Sequence, residues 1–80
     1  MERSTILRTL NEIFCSVLNV DEVTLTDDSK ADDIEEWDSL THVQLVYTIQ
    51  KSFGIKFTSL EILKWKNVGE MIDSIMEKID

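Results

Sequence analysis

The chain contains no proline, two glycines, one cysteine and one histidine. Without proline, its helices must be ended by glycine, by capping side chains or by a change of pattern. A lone Cys15 rules out an internal disulfide. It also falls off the main apolar stripe of its segment, where a small boundary thiol needs no special role. The only histidine, His42, lies in a different segment, so the sequence offers no paired nucleophile and base, and a small enzyme is a remote reading. No apolar run reaches the about 18 residues that cross a membrane. The first residues alternate charged and apolar character and lack a signal-peptide core, so the cytoplasm is the expected location. Basic residues are also scarce, 8 against 16 acidic ones, for a net charge of −8. That balance argues against nucleic acid and anionic membrane as partners and favours basic protein surfaces.

What is present suits one small helical domain spanning 1–80. The chain opens on Met1 and closes on a helical pattern, so it is expected to be a complete, free-standing protein and a monomer. A hydrophobic share of 42% is enough for a globular core and argues against wholesale disorder. A domain this size buries only about 60–65% of its unfolded surface, which leaves no room for a deep cleft.

Ile6, Leu7, Leu10, Ile13, Phe14, Val17 and Leu18 recur at three- and four-residue spacing and predict a first helix, with Ser4 near its start as a cap. Residues 19–37 form a long connection with eight acidic residues and Lys30 in opposition. A loop this long in a compact domain is usually functional or disordered, and Val20, Val23, Leu25, Ile34 and Trp37 suggest anchoring at several points. Its acidic stretch from Asp27 fails as a calcium loop: Asp32 stands where glycine is required and Asp38 where glutamate is. No dedicated metal site is expected.

A second helix is predicted from Ser39 to about Ser52, capped by Asp38 and ended by Gly54. His42, Leu45, Val46, Ile49 and Phe53 share one face, and Leu40, Val43 and Tyr47 widen it. The remaining face is narrow and holds Thr41, Gln44, Thr48, Lys51 and Ser52. An arc this wide fits either a deeply packed central helix or one that also faces a partner or cargo. Thr58 and Glu61 form a capping-box pattern that opens a short helix through Leu60, Ile62, Leu63 and Trp65. Asn67 and Glu70 repeat it for a last helix with Val68, Met71, Ile72, Ile75, Met76 and Ile79 on its apolar face. The expected architecture is all-α: a small antiparallel bundle of three main helices and one short one. Trp37 and Trp65 read as packing residues, and His42 as a residue at the core edge.

Ser39 has a distinctive position, at the loop–helix junction with its hydroxyl expected to be exposed. A helix start has unpaired N–H groups and the positive end of the macrodipole, so a phosphodiester there would be favoured. Serine is also common at helix starts for capping alone.

The stretch Glu36-Trp37-Asp38-Ser39-Leu40-Thr41-His42-Val43-Gln44-Leu45, followed by Phe53-Gly54-Ile55, resembles that of acyl and peptidyl carrier proteins. The order of long helix, acidic loop, serine helix, short helix and last helix extends the resemblance over nearly the whole chain. The resemblance implies a four-helix bundle whose Ser39 carries a 4′-phosphopantetheine derived from coenzyme A. Asp38 and Leu40 match the flanking residues of the family's motif. It also implies a protein that is not itself an enzyme but holds an acyl or aminoacyl group as a thioester. The implied partners are a phosphopantetheinyl transferase, a loading enzyme and downstream biosynthetic enzymes. Leu40, Thr41, Val43, Gln44, Tyr47 and Glu61 are candidates for docking them. His42, Val46, Ile49, Ile62 and Leu63 are candidates to line a shelter for the cargo.

One departure qualifies the resemblance. Carriers of fatty acid synthesis typically stud the second helix with acidic residues. Here the outer positions are Thr41, Gln44, Gln50 and Lys51. That points to a specialised pathway such as polyketide, nonribosomal peptide or modified-sugar assembly. The rival reading is an acidic helical interaction module with no prosthetic group, which gives no reason for an exposed serine at the helix start.

Overall fold

A computed structural model describes residues 2–79. Its elements are α1 (Arg3–Leu18), a 3-10 turn (Ala31–Asp33), α2 (Ser39–Phe53), α3 (Ser59–Lys64) and α4 (Val68–Ile79), with no strand among the described residues. The fold is all-helical, as the periodicity predicts, and α2 runs one residue beyond Ser52.

α1 forms because its apolar residues make a single stripe; Ile6, Leu10, Ile13, Phe14 and Leu18 are buried. The helix lies against α2 and α4, and α3 packs on α4. Leu45 and Ile49 of α2 and Val68, Met71, Ile72 and Ile75 of α4 complete the shared core. Ser4 does not cap α1. The cap position is Glu2, whose side chain makes no capping bond, and Ser4 lies inside the first turn, so the serine signal is spent within the helix. At the other end Asn19 turns left-handed (φ 57°) and its N–H reaches Cys15 O, a conformation asparagine tolerates better than most residues.

The long loop is tied down along its length. Leu25 and Trp37 are buried, and Leu25 N–H donates to Asn11 Oδ1 at 3.0 Å. Its carbonyls also cap the start of α4: Val68 N–H donates to Ser29 O at 2.8 Å and Gly69 N–H to Asp27 O at 2.9 Å. That approach is why residue 69 is glycine, since a Cβ there would lie 3.0 Å from Asp27 O. Arg3 completes the clasp, reaching Asp27 at 3.0 Å, Asp73 at 2.6 Å and Gly69 O at 3.2 Å.

The remaining helix ends follow the expected capping chemistry. Gly54 ends α2 in the left-handed region (φ 67°). Thr58 and Glu61 form a reciprocal box at α3. Asn67 Oδ1 accepts from Glu70 N–H at 3.0 Å, while Glu70 reaches one residue further back, to Lys66 N–H at 2.6 Å. Trp65 lies outside α3, as the residue that caps it.

Candidate functional site

The start of α2 is built by a reciprocal pair. Asp38 Oδ1 accepts from the N–H groups of Leu40 and Thr41, each at 3.0 Å. Thr41 Oγ1 accepts from Asp38 N–H at 2.8 Å and donates to Glu36 O at 2.9 Å. These contacts hold the Asp38 carboxyl below its ordinary range, chiefly through the Thr41 N–H. Ser39 is the first helical residue, is exposed, and stands outside this box. The arrangement qualifies one expectation. The first-turn N–H groups of Leu40 and Thr41 are not free for a phosphodiester, because Asp38 already occupies them and adds its own negative charge. The N–H of Ser39 itself and the helix macrodipole are what remain to favour an anion there.

Beside Ser39 lies an open recess of about 350 Å³ lined by Ala31, Trp37, Asp38, Ser39 and His42. A narrower cavity of about 110 Å³ adjoins it and shares Ala31, Trp37 and His42; Trp65, Lys66, Asn67 and Met71 form its other walls. His42 therefore borders both. Trp37 Nε1–H donates to His42 Nδ1 at 3.1 Å, and the two ring planes lie 21° apart. Accepting at Nδ1 requires the neutral ring with its proton on Nε2. Burial pushes the imidazole below its ordinary pKa, in the same direction. Phe14 meets Trp37 edge-on at 4.9 Å, and Phe57 meets Trp65 edge-on at 4.7 Å. Trp65 Nε1–H donates to Ser74 Oγ at 2.8 Å, so both indoles have their polar edge satisfied.

The cargo candidates do not converge. His42 borders both recesses, Val46 and Ile49 are buried in the core, Ile62 is half-buried, and Leu63 is 80% exposed. The tryptophans that wall the cavity drew attention in the sequence only as packing residues. The five-residue spacing from Trp37 to His42 across a helix cap was the available signal.

The docking candidates also divide. Leu40, Val43 and Tyr47 are large apolar side chains left exposed along one stripe of α2, Leu40 at 76%, and Gln44 is exposed as well. Thr41 has its hydroxyl committed to the cap. Glu61, the expected capping partner of Thr58 and also a docking candidate, accepts from Thr58 N–H at 2.9 Å and pairs with Lys78 Nζ at 2.9 Å. Among the described residues, no group of three or more His, Cys, Asp or Glu gathers to hold a metal ion, and no helix is long and apolar enough to cross a membrane.

The family described as "Phosphopantetheine attachment site" matches residues 8–75. An acyl carrier protein of Rubrobacter xylanophilus is 32% identical over 77 residues, covering 96% of this chain and 95% of its own length. One from Thermosynechococcus vestitus is 32% identical over 80 residues, covering 99% of this chain and 98% of its own length. The chain belongs to the acyl carrier protein family. A solution structure of holo acyl carrier protein from Geobacter metallireducens is 38% identical, with a TM-score of 0.87, covering 92% of this chain and 85% of that one. A member of this family is a carrier and not an enzyme; a phosphopantetheinyl transferase modifies it, and its covalent cofactor is 4′-phosphopantetheine. Within the acyl carrier fold seen here, Ser39 and its flanking recess lie inside the matched stretch.

Proposed function

We propose that Ser39 is the attachment residue and that the chain serves a specialised biosynthetic pathway rather than bulk fatty acid synthesis. The observation that carries the first part is the exposed Ser39 at the first position of α2, outside a cap that Asp38 and Thr41 complete between themselves. The residues fit the group: the hydroxyl is reachable, and an open recess lies beside it. When bound, 4′-phosphopantetheine supplies a flexible arm whose thiol holds an acyl or aminoacyl group as a thioester.

The chain's own residues have three tasks. Ser39 offers Oγ as the point of attachment. The Asp38 carboxylate, engaged by two N–H groups and held ionised, rigidifies the helix start and is a poor base for that hydroxyl. With those N–H groups occupied, the base of the arm is left loosely held, which suits delivery to successive enzymes by raising local cargo concentration. Leu40, Val43, Gln44 and Tyr47 form the surface on which those enzymes dock, through weak apolar contact that permits release.

The neutral and basic outer face of α2, with Gln44 and Lys51 where acids would be expected, supports the specialised role. The comparison that tests it loads malonyl groups with a malonyl transferase of fatty acid synthesis, beside a carrier whose second helix is acidic. This chain is expected to be about tenfold poorer, the effect of roughly one lost charge-pair contribution at the interface. Equal loading would assign it to fatty acid synthesis.

A further inference from the structure

Charge is unevenly spread along the chain. Of its 16 acidic residues, only Glu61 lies between Ser39 and Val68, and Lys78 pairs with it. Lys51, Lys56, Lys64 and Lys66 lie in that same segment. So do the large apolar side chains left exposed among the described residues: Leu40, Val43, Tyr47, Leu60 and Leu63. Among the described residues the ion pairs belong to Arg3 and Lys78, so these lysines stay unpaired in an acidic protein. A partner touching this segment meets their charge first, because exposed charges more than about 10 Å away are screened at 0.1 M salt.

The lysines meet the apolar surface at one place. An open groove of about 260 Å³ at the end of α2 is lined by Tyr47, Gln50, Lys51, Ile55 and Lys56. Tyr47 is 62% exposed and also belongs to the stripe of Leu40 and Val43, so the groove continues that stripe away from Ser39. Lys51 Nζ lies 5.9 Å from the centre of the Tyr47 ring. Gln50 holds the link after α2 in place: its backbone oxygen accepts from Ile55 N–H at 3.0 Å and its Oε1 from Phe57 N–H at 2.8 Å. A preformed groove costs little to order on binding. Lys51, in the last turn of α2, also balances the helix dipole. Lys56 lies beyond the helix and has no such task. At a rise of about 1.5 Å per residue, Lys51 stands about 18 Å along α2 from Ser39.

We propose that this groove receives an apolar side chain of a partner enzyme flanked by carboxylates, which pair with Lys51 and Lys56. The inference rests on the docking stripe proposed above and adds the partner's charge. The lysines disfavour a basic docking surface at this end of α2, while the acidic loop precedes Ser39 at the other. The opposite charges at the two ends fix which way round the partner sits.

The test uses the holo protein, with intact mass confirming one arm per chain, so that failure of attachment is seen separately. The probe is a malonyl transferase of fatty acid synthesis, whose docking surface is basic to suit an acidic second helix. A second form of that enzyme has its basic docking residues exchanged for glutamate, and transfer to free pantetheine checks that it is active. The kcat/KM for loading is measured for the wild type and for the double variant Lys51→Glu, Lys56→Glu, whose fold is checked by circular dichroism. The parent transferase is expected to prefer the variant about fivefold, and the glutamate form to prefer the wild type by a similar factor. Both preferences are expected to shrink toward unity as salt is added. Tyr47→Ala is expected to lower loading by both enzymes about threefold. Each comparison is a ratio between forms of this chain, so it is independent of the pathway assignment above. If both transferases load the wild type and the double variant alike, or prefer the same one, the charge pairing is refuted. Unchanged loading of Tyr47→Ala would refute the groove as the seat of the contact.

Discussion

Trp37 donates its indole N–H to His42 Nδ1 at 3.1 Å, joining the residue two places before Ser39 to the residue three places after it. The bond spans the helix cap, so it fixes the end of the acidic loop against α2 at the point where Ser39 is presented. It also demands a neutral imidazole, because a protonated ring has no acceptor.

That demand has a sign. Burial holds the folded pKa of His42 below the ordinary imidazole value of about 6.5. The stability it contributes is therefore complete above about pH 6.5 and is lost as pH falls through the lower folded value. The melting temperature of the wild type is expected to drop between pH 7 and pH 5.5, before the carboxylates titrate, and that early drop is expected to vanish in His42→Gln. An unchanged profile in the variant would show that other groups govern this range.

Removing the cap tests the geometry around Ser39. Asp38→Ala is expected to lower stability by about 1 kcal/mol in denaturant titrations, and Asp38→Asn by much less, because asparagine caps nearly as well. The depressed Asp38 pKa adds stability above the ordinary carboxylate range that disappears as pH falls through the folded value. Equal losses in the two variants would mean that charge, rather than capping, is what matters.

Gly69→Ala pits helix propensity against space. Alanine is favoured over glycine by up to about 1 kcal/mol, the value for a helix interior, and Gly69 lies in the first turn of α4; against that gain, the alanine Cβ would meet Asp27 O at 3.0 Å and Asp27 Cβ at 3.1 Å. Because a backbone carbonyl cannot swing aside, a net destabilisation of about 1–3 kcal/mol is expected. A stabilised variant would show that the loop yields easily.

How much of this was legible in the sequence depends on range. The start of α2 at Ser39, the Asp38 cap, Gly54 at its end and the Thr58–Glu61 box are local patterns, and the structure has them where the residues suggested. What the sequence does not announce involves partners far apart along the chain. Glu61 is legible as the capping partner of Thr58, but nothing near it announces its ion pair with Lys78. Gly69 had no evident purpose until Asp27 O was found against it. The cavity beside Ser39 draws on residues from 31 to 71, a set that no projection of α2 or α3 alone brings together.

The acidic loop gives a prediction in salt. Eight acids lie between residues 21 and 36, opposed by Lys30 within that stretch, and of the eight Asp27 is engaged by Arg3. Added salt relieves their repulsion more than it weakens one exposed ion pair. A rise in melting temperature from low to moderate ionic strength is expected, and a flat response would show that the loop's charges do not strain the fold.

The central claim is that Ser39 carries the prosthetic group. The pure protein is incubated with coenzyme A and a broad-specificity phosphopantetheinyl transferase, and intact mass is recorded beside Ser39→Ala. A gain of one phosphopantetheine on the wild type alone is expected. No gain on an apo sample with a transferase proven on another carrier, or a gain that persists in Ser39→Ala, would contradict it.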